Sequence, residues 1–286
     1  MTADPLPFGA AIDALGDRAM RARLRSLFPD RPETEMAFAS AGTIGFGLFT
    51  PNAQFDPAVV ALIGEETPSG IRVSGRVMTS NRQAAATIAP VRMGERVHLA
   101  LISPDRAAAD PSHLEHPSGP AYLDFDRHHL GVGRLSRSLN WPKDEAVVAA
   151  LDAWSVATAG LVATSCGAGL RELRRRLAEC RTPNGVASQS QLVSHDVTKL
   201  EIEISLLGDA SAHPRSEPWL LLCAAARCQE RFVGLVESLE RELGFAWHDD
   251  GTPWPTRADL GHMGGRRMIE GVDAHRRGLD AAGGRP

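Results

Sequence analysis

Two kinds of apolar spacing divide the chain. Between residues 36 and 140, short apolar runs alternate with turn-forming residues. The runs are Gly45–Thr50, Val59–Ile63, Ile71–Met78 and Val97–Ile102, with Pro51-Asn52 after the first and Ser103-Pro104-Asp105 after the last. Runs of this length, punctuated by Gly, Pro, Ser and Asp, predict strands joined by turns and a mainly antiparallel β unit. Asp105–Ser118 reads as a loop. Ahead of this region, AAIDALGDRAMRARLRSLF is a short amphipathic segment closed by PDRPET.

After residue 142 the spacing becomes helical. Asp144 to Glu179 is one Ala/Leu/Val-rich run ending in Arg171, Arg174, Arg175 and Arg176, charges that favour a helix C-terminus. A second helix places Leu192, Val193, Val197, Leu200, Ile204 and Leu207 at three- and four-residue steps, with Asp196, Lys199 and Glu203 on the other face. A third starts at Ser216 as N-cap, with Glu217 and Pro218 in its first turn, and runs to Leu243. A fourth covers Thr256 to Leu279. Short connections between four such segments predict an antiparallel bundle. The expected fold class is α+β: a helical segment over 1–35, an antiparallel β domain over 36–142 and a C-terminal four-helix bundle over 143–286.

Composition narrows the function. The 286 residues are 43% apolar and 23% charged, as in an ordinary globular chain. The net charge is 31 − 35 = −4, which argues against a general nucleic-acid binder. The longest apolar run, Trp219 to Ala226, falls far short of the ~20 residues of a bilayer span. MTADPLPFG carries no basic n-region or long apolar stretch, so no signal peptide is expected. Cys166, Cys180, Cys223 and Cys228 fit no zinc or redox spacing and read as reduced, mostly buried thiols of a cytoplasmic protein.

Familiar catalytic motifs are missing: there is no P-loop, GxSxG, HExxH, CxxC or EF-hand loop. Gly42, Gly45 and Gly47 read as a turn. Ser194, His195 and Asp196 are consecutive on a helix, so their side chains diverge and form no triad. His113, Glu115 and His116 read as a solvated loop, and His128-His129 as a solvated strand end or loop. No metal site is expected.

A β unit followed by a helical bundle, with particular residues at the joints, resembles the acyl-CoA dehydrogenase family over roughly residues 36–280. Phe49–Asp56, FTPNAQFD, is similar to the family's TEPxAGSD stretch at Pro51, Ala53 and Asp56. Gly70-Ile-Arg-Val-Ser-Gly75-Arg76-Val-Met-Thr79 resembles its glycine-flanked hairpin, with Arg76 for the usual Lys. Arg181-Thr-Pro-Asn-Gly185 followed by Ser190-Gln191-Leu-Val-Ser-His195 resembles the family's R-x-x-F-G and F-Q-x-x-x-H stretches at Arg181, Gly185, Gln191 and His195. In the family that Arg reaches the FAD pyrophosphate across a subunit interface. The plainer reading of Arg181 is a cation ending a helix. Gln191 and His195 read equally as polar residues at a helix start. The resemblance implies a cofactor site at Arg181, Gln191, Thr79 and Ser80.

Gly244-Phe-Ala-Trp247-His-Asp-Asp250 resembles the GFTWEHD stretch of the branch that acts on steroid-derived acyl-CoAs, often as unequal subunit pairs. The glycines that precede it there are replaced by Glu240-Arg241-Glu242-Leu243. Glycine allows a backbone to approach a nucleotide closely, whereas these side chains are bulky and two are anionic. The reaction also needs a carboxylate to remove the α-proton. One family position for it falls near Trp154 or Ser155, neither of which is a base. Asp249 and Glu270 are the remaining candidates; the plainer reading of each is a solvated carboxylate. About 35 residues precede the β unit where the family has a complete helical domain, an expectation of exposed apolar surface and a partner.

The resemblance therefore implies a subunit of a heteromeric flavin-dependent acyl-CoA dehydrogenase. It would introduce an α,β double bond into a bulky, steroid-type acyl-CoA. A homologous full-length subunit would supply most of the FAD site and the base. Two alternatives remain: a non-redox relative that binds no FAD, and a homomeric FAD-dependent dehydrogenase.

Overall fold

The computed structural model describes residues 21–32, 34–35, 38, 44–46, 60–79, 86–103, 108–109, 121–141, 143–183, 185–214 and 217–243. Their contacts form two units, one reaching to Trp154 and the other beginning at Ser155.

The first unit is built on a sheet of seven strands: β1 (Ile44–Phe46), β2 (Leu62–Thr67), β3 (Gly70–Thr79), β4 (Ala86–Met93), β5 (Arg96–Ile102), β6 (Ala108–Ala109) and β7 (Ala121–Gly131). The spatial order is β1-β4-β2-β3-β7-β6, with β5 on the remaining edge of β4. Antiparallel pairs predominate, as expected, but β4 runs parallel to both β1 and β2, so the sheet is mixed. These two short strands lie end to end along one edge of β4. β1 pairs through Ile88 and β2 from Val91.

That break accounts for Pro90 in a central, buried strand. Leu99, the partner of Pro90 on β5, donates its N–H to Ser136 Oγ (2.7 Å) and accepts from Ser136 N–H (2.8 Å). Both groups of Leu99 thus point away from β4, so the nitrogen of Pro90 points toward the other edge. There it faces the gap between β1 and β2, where no ladder bond is lost. β6 falls inside the segment expected to be a loop: Ala108 and Ala109 pair with Asp124 and Leu123.

Alternation along the strands sends Leu62, Ile71, Val73, Val77, Leu123, Phe125 and Leu130 into one apolar cluster with Val91 and Ile102 of β4 and β5. Gly70–Thr79 is one ten-residue strand rather than a strand pair. Its hairpin partner is β2, and Gly75 marks a bulge instead of a turn. Gly75 has φ 127, and a Cβ there would lie 2.3 Å from the carbonyl oxygen of Ala61. Only glycine fits both the dihedral and the space. His128 and His129 lie within β7; His129 Nε2 is 2.9 Å from Ser69 Oγ.

The long apolar run forms α1 (Glu145–Glu179), which begins as its sequence suggests. The half-buried N-cap region is organised by Asp144. Its carboxylate accepts from the N–H of Ala146 and takes both arms of Arg137 at 2.8 and 3.0 Å. By length and composition α1 is apolar enough to cross a bilayer, and half of its most apolar stretch is buried within the protein.

From Ser155 onward the second unit holds the rest of α1, then α2 (Gln191–Ala212) and α3 (Pro218–Leu243). Small residues bring α1 and α2 together. Gly167 faces Ile204, Ala163 faces Gly208, and Gly160 faces Ser211. Positions rise on one helix as they fall on the other, so the pair is antiparallel. Arg174 closes its end with a two-pronged bond to Glu201, both contacts 2.6 Å. Arg231 of α3 pairs with Glu203 of α2. Val193, Val197, Leu200, Ile204 and Leu207 are buried as predicted, whereas Leu192 is 79% exposed. The expected fourth helix, Thr256 to Leu279, lies outside the described residues, as does Ser216.

Candidate functional site

The end of α1 carries a dense set of arginines, and the structure separates the occupied ones from the free ones. Arg175 bridges Glu172 and Glu179, Arg176 bonds Glu172 at 3.0 Å, and Arg174 holds Glu201. Hydrogen bonds from Arg175 and then Arg176 hold the Glu172 carboxyl at about 2, well below the ordinary range. Arg175 is correspondingly held above the ordinary guanidinium value, first by its bond to Glu172. Among the described residues, Arg171 and Arg181 have no carboxylate partner.

Arg181 is presented by a miniature hairpin. α1 stops at Glu179; β8 (Arg181–Thr182) then pairs with β9 (Gly185–Val186). Gly185 opens β9 at φ 117, and Thr182 Oγ1 donates to its carbonyl at 2.9 Å. The N–H of Ala187 returns to the carbonyl of Cys180 at 2.9 Å and ties the loop to the helix end. A single 3-10 turn, Ala187–Gln189, leads into α2, with Ser190 at the N-cap position. The end of α1, the hairpin and the start of α2 together fix where the cation projects. Arg181, Gln191 and His195 are all exposed; Gln191 and His195 share one helix face, four residues apart.

An exposed guanidinium in a tied hairpin suits a phosphate ligand, since its fork matches two phosphate oxygens. A cleft of about 250 Å³ lies at the same end, lined by Leu177, Ser188, Val193, Ser194, Val197 and Thr198, with Arg174 at its edge. A larger groove of about 400 Å³ runs between α2 and α3, floored by Val193, Leu200 and Leu239 and rimmed by Asp196, Lys199, Glu203, Arg231 and Glu242.

The C-terminal end of α3 does not suit a nucleotide. Glu240, Arg241 and Glu242 stay within the helix, where Arg241 Nε donates to the carbonyl of Glu237 (3.2 Å) and Ser238 Oγ donates to Glu242 (3.2 Å). Among the described residues no glycine stands in the last two turns of α3, and two carboxylates there would oppose a pyrophosphate's charge. The described residues of this chain therefore fit part of a flavin site at Arg181 and do not fit the part expected at the end of α3.

The remaining predicted positions are scattered. Thr79 ends β3 in the sheet unit, and Ser80 lies outside the described residues, as do Asp249, Glu270 and the stretches Phe49–Asp56 and Gly244–Asp250. Arg76 pairs with Asp124 at 3.1 Å. Trp154 and Ser155 are both buried. No group of three or more His, Cys, Asp or Glu that could hold a metal occurs among the described residues. Sequence spacing gave no sign of one effect: the Cys228 thiol of α3, and then burial, push the Cys166 thiol of α1 above its ordinary value.

No known family description matches this chain, and no curated protein matches it. Solved structures do. A glutaryl-CoA dehydrogenase from Mycobacterium smegmatis in complex with FADH2 superposes with a TM-score of 0.68 at 13% identity, covering 95% of this chain and 74% of that one. The ChsE4-ChsE5 complex from Mycobacterium tuberculosis gives 0.68 at 12%, covering 98% and 80%. A variant of the Tcur3481-Tcur3483 steroid ACAD gives 0.62 at 16%, covering 95% and 82%. At such low identity the likeness is one of architecture, and the architecture is unambiguous: this chain has the α+β fold of the acyl-CoA dehydrogenases.

Proposed function

We propose that this chain is one subunit of a heteromeric, flavin-dependent acyl-CoA dehydrogenase that introduces an α,β double bond into a bulky, steroid-type acyl-CoA in the cytoplasm. The observation that carries this reading is the contrast within the helical unit. Arg181 stands exposed and without a carboxylate partner among the described residues, while Glu240–Glu242 deny the nucleotide its usual approach. Such a chain contributes a phosphate contact and depends on a homologous full-length subunit for the rest of the FAD site and for the base. Two of the similar structures are themselves pairs of different proteins, one of them a steroid ACAD.

Within this reading the division 1–35, 36–142 and 143–286 corresponds to a short helical segment, the β domain and the bundle. Arg181 donates two hydrogen bonds to pyrophosphate oxygens, and Gln191, ten residues on, offers an amide at the same end. Thr79 and Ser80 are the other residues proposed to contact the cofactor. FAD, when bound, accepts the hydride that leaves the β-carbon. Asp249 and Glu270 remain this chain's candidates for proton removal should the partner not supply the base.

Co-expression with a homologue encoded next to it tests the proposal. The expected outcome is copurification, flavin bound to the complex but not to this chain alone, and acyl-CoA oxidation with an artificial electron acceptor. Absence of a copurifying homologue would overturn it. The helical, acidic end of α3 also favours a second reading, a non-redox relative without FAD. That reading expects copurification, if any, without flavin and without oxidation. A homomeric dehydrogenase expects a yellow protein from this chain alone.

A further inference from the structure

We propose that two copies of this chain associate through the outward face of α2, with the two helices antiparallel about a twofold axis level with Ile204. α2 has two apolar faces. Val193, Val197, Leu200, Ile204 and Leu207 form the buried one. α1 meets that side at Ile204, Gly208 and Ser211, and α3 meets the flank at Glu203. The opposite side carries Leu192, His195, Lys199, Ile202, Leu206 and Asp209, every one of them exposed. Ile202 is 55% and Leu206 63% exposed, a large fraction for branched aliphatic side chains that lie next to each other. Steps of three and four residues align all six in one row along the helix, the spacing of a seam between two helices.

The charges on this row select the occupant. From one end, Lys199, Ile202, Leu206 and Asp209 read basic, apolar, apolar, acidic, and the middle of the four falls at position 204. Turned end for end about that middle, the row complements itself. Lys199 faces Asp209 of the second copy and Ile202 faces its Leu206, and each contact occurs twice, as a twofold interface requires. A parallel pair would set Lys199 on Lys199 and Asp209 on Asp209, so the charges choose the direction as well as the register. Among the described residues neither Lys199 nor Asp209 has an oppositely charged partner within its own chain. Glu203 lies beside the row near the axis and approaches its own counterpart. Arg231 of the same copy already pairs with it, so these like charges do not meet bare.

The test needs neither flavin nor a homologue, so its outcome is separate from that of the dehydrogenase reading. Sedimentation of the full chain alone at micromolar concentration should give twice the monomer mass. Carbodiimide treatment should link Lys199 to Asp209. The two stand about 15 Å apart along one helix, so a zero-length link between them joins two copies. Ile202→Glu/Leu206→Glu should raise the dimer dissociation constant about a hundredfold or more with helical circular dichroism unchanged, because both side chains already face water in the single chain. Lys199→Asp or Asp209→Lys alone should weaken the dimer about tenfold at low salt. The two together should restore it, since the exchanged charges oppose each other again only between identical copies. A monomer at every concentration, whether the row stays open or residues 244–286 cover it, would overturn the proposal. So would absence of the Lys199–Asp209 link, a dimer indifferent to Ile202→Glu/Leu206→Glu, or an exchanged pair no tighter than either single change. Loss of a copurifying homologue, in place of self-association, from the Ile202→Glu/Leu206→Glu variant would assign the row to that homologue and overturn it equally.

Discussion

Gly75 shows how much one position can carry. Its φ of 127 and the 2.3 Å approach of a hypothetical Cβ to the Ala61 carbonyl oxygen leave no room for a side chain. Gly75→Ala should cost about 1–3 kcal/mol, read as a lower denaturant midpoint, with unchanged affinity for any partner once folded. Gly234, in α3, is the opposite case, since no described residue has an atom within 4 Å of the added carbon. Gly234→Ala should stabilise the chain by about 0.5–1 kcal/mol, measured the same way. Sequence shows two glycines; only the surroundings assign them opposite outcomes.

The end of α1 makes a prediction about pH. Arg175 and Arg176 hold Glu172 ionised down to about 2, whereas an unfolded chain protonates this residue near 4.5. The folded value is the lower one. The stabilising contribution is therefore fully present above 4.5 and is lost as pH falls toward 2. NMR titration should place the Glu172 midpoint near 2, and Arg175→Gln should move it upward; an unchanged midpoint would show that the contact is not populated in solution. The same helix was legible almost to its ends: Asp144 sits before it and Glu179 ends it, because N-capping and apolar spacing are local properties. The strands were legible where each run alternates or is flanked by turns. β4 was not, since a strand buried on both faces does not alternate and Pro90 argues against it. β6 was missed because two alanines become a strand only when β7 is there to pair with them.

Taken whole, the chain shares an enzyme fold with dehydrogenases that differ from it at more than four residues in five. It presents an exposed arginine in a tied hairpin and an acidic helical end at α3. In an assembled complex, Arg181→Ala should lower flavin retention about tenfold or more while the subunits stay together, as expected for losing a charge-assisted contact to phosphate. Retained flavin in that variant would assign Arg181 to helix termination alone. The local setting of Arg181 was readable because a helix end and a helix start are set by neighbouring residues. Local patterning likewise supplied the α+β order, the three long helices and most strands, since each depends on neighbours in sequence. The mixed direction of β4, the tolerance of Pro90 and the exposure of Leu192 depend on residues far away in the chain. No local period encodes such contacts; they exist only once the elements have packed.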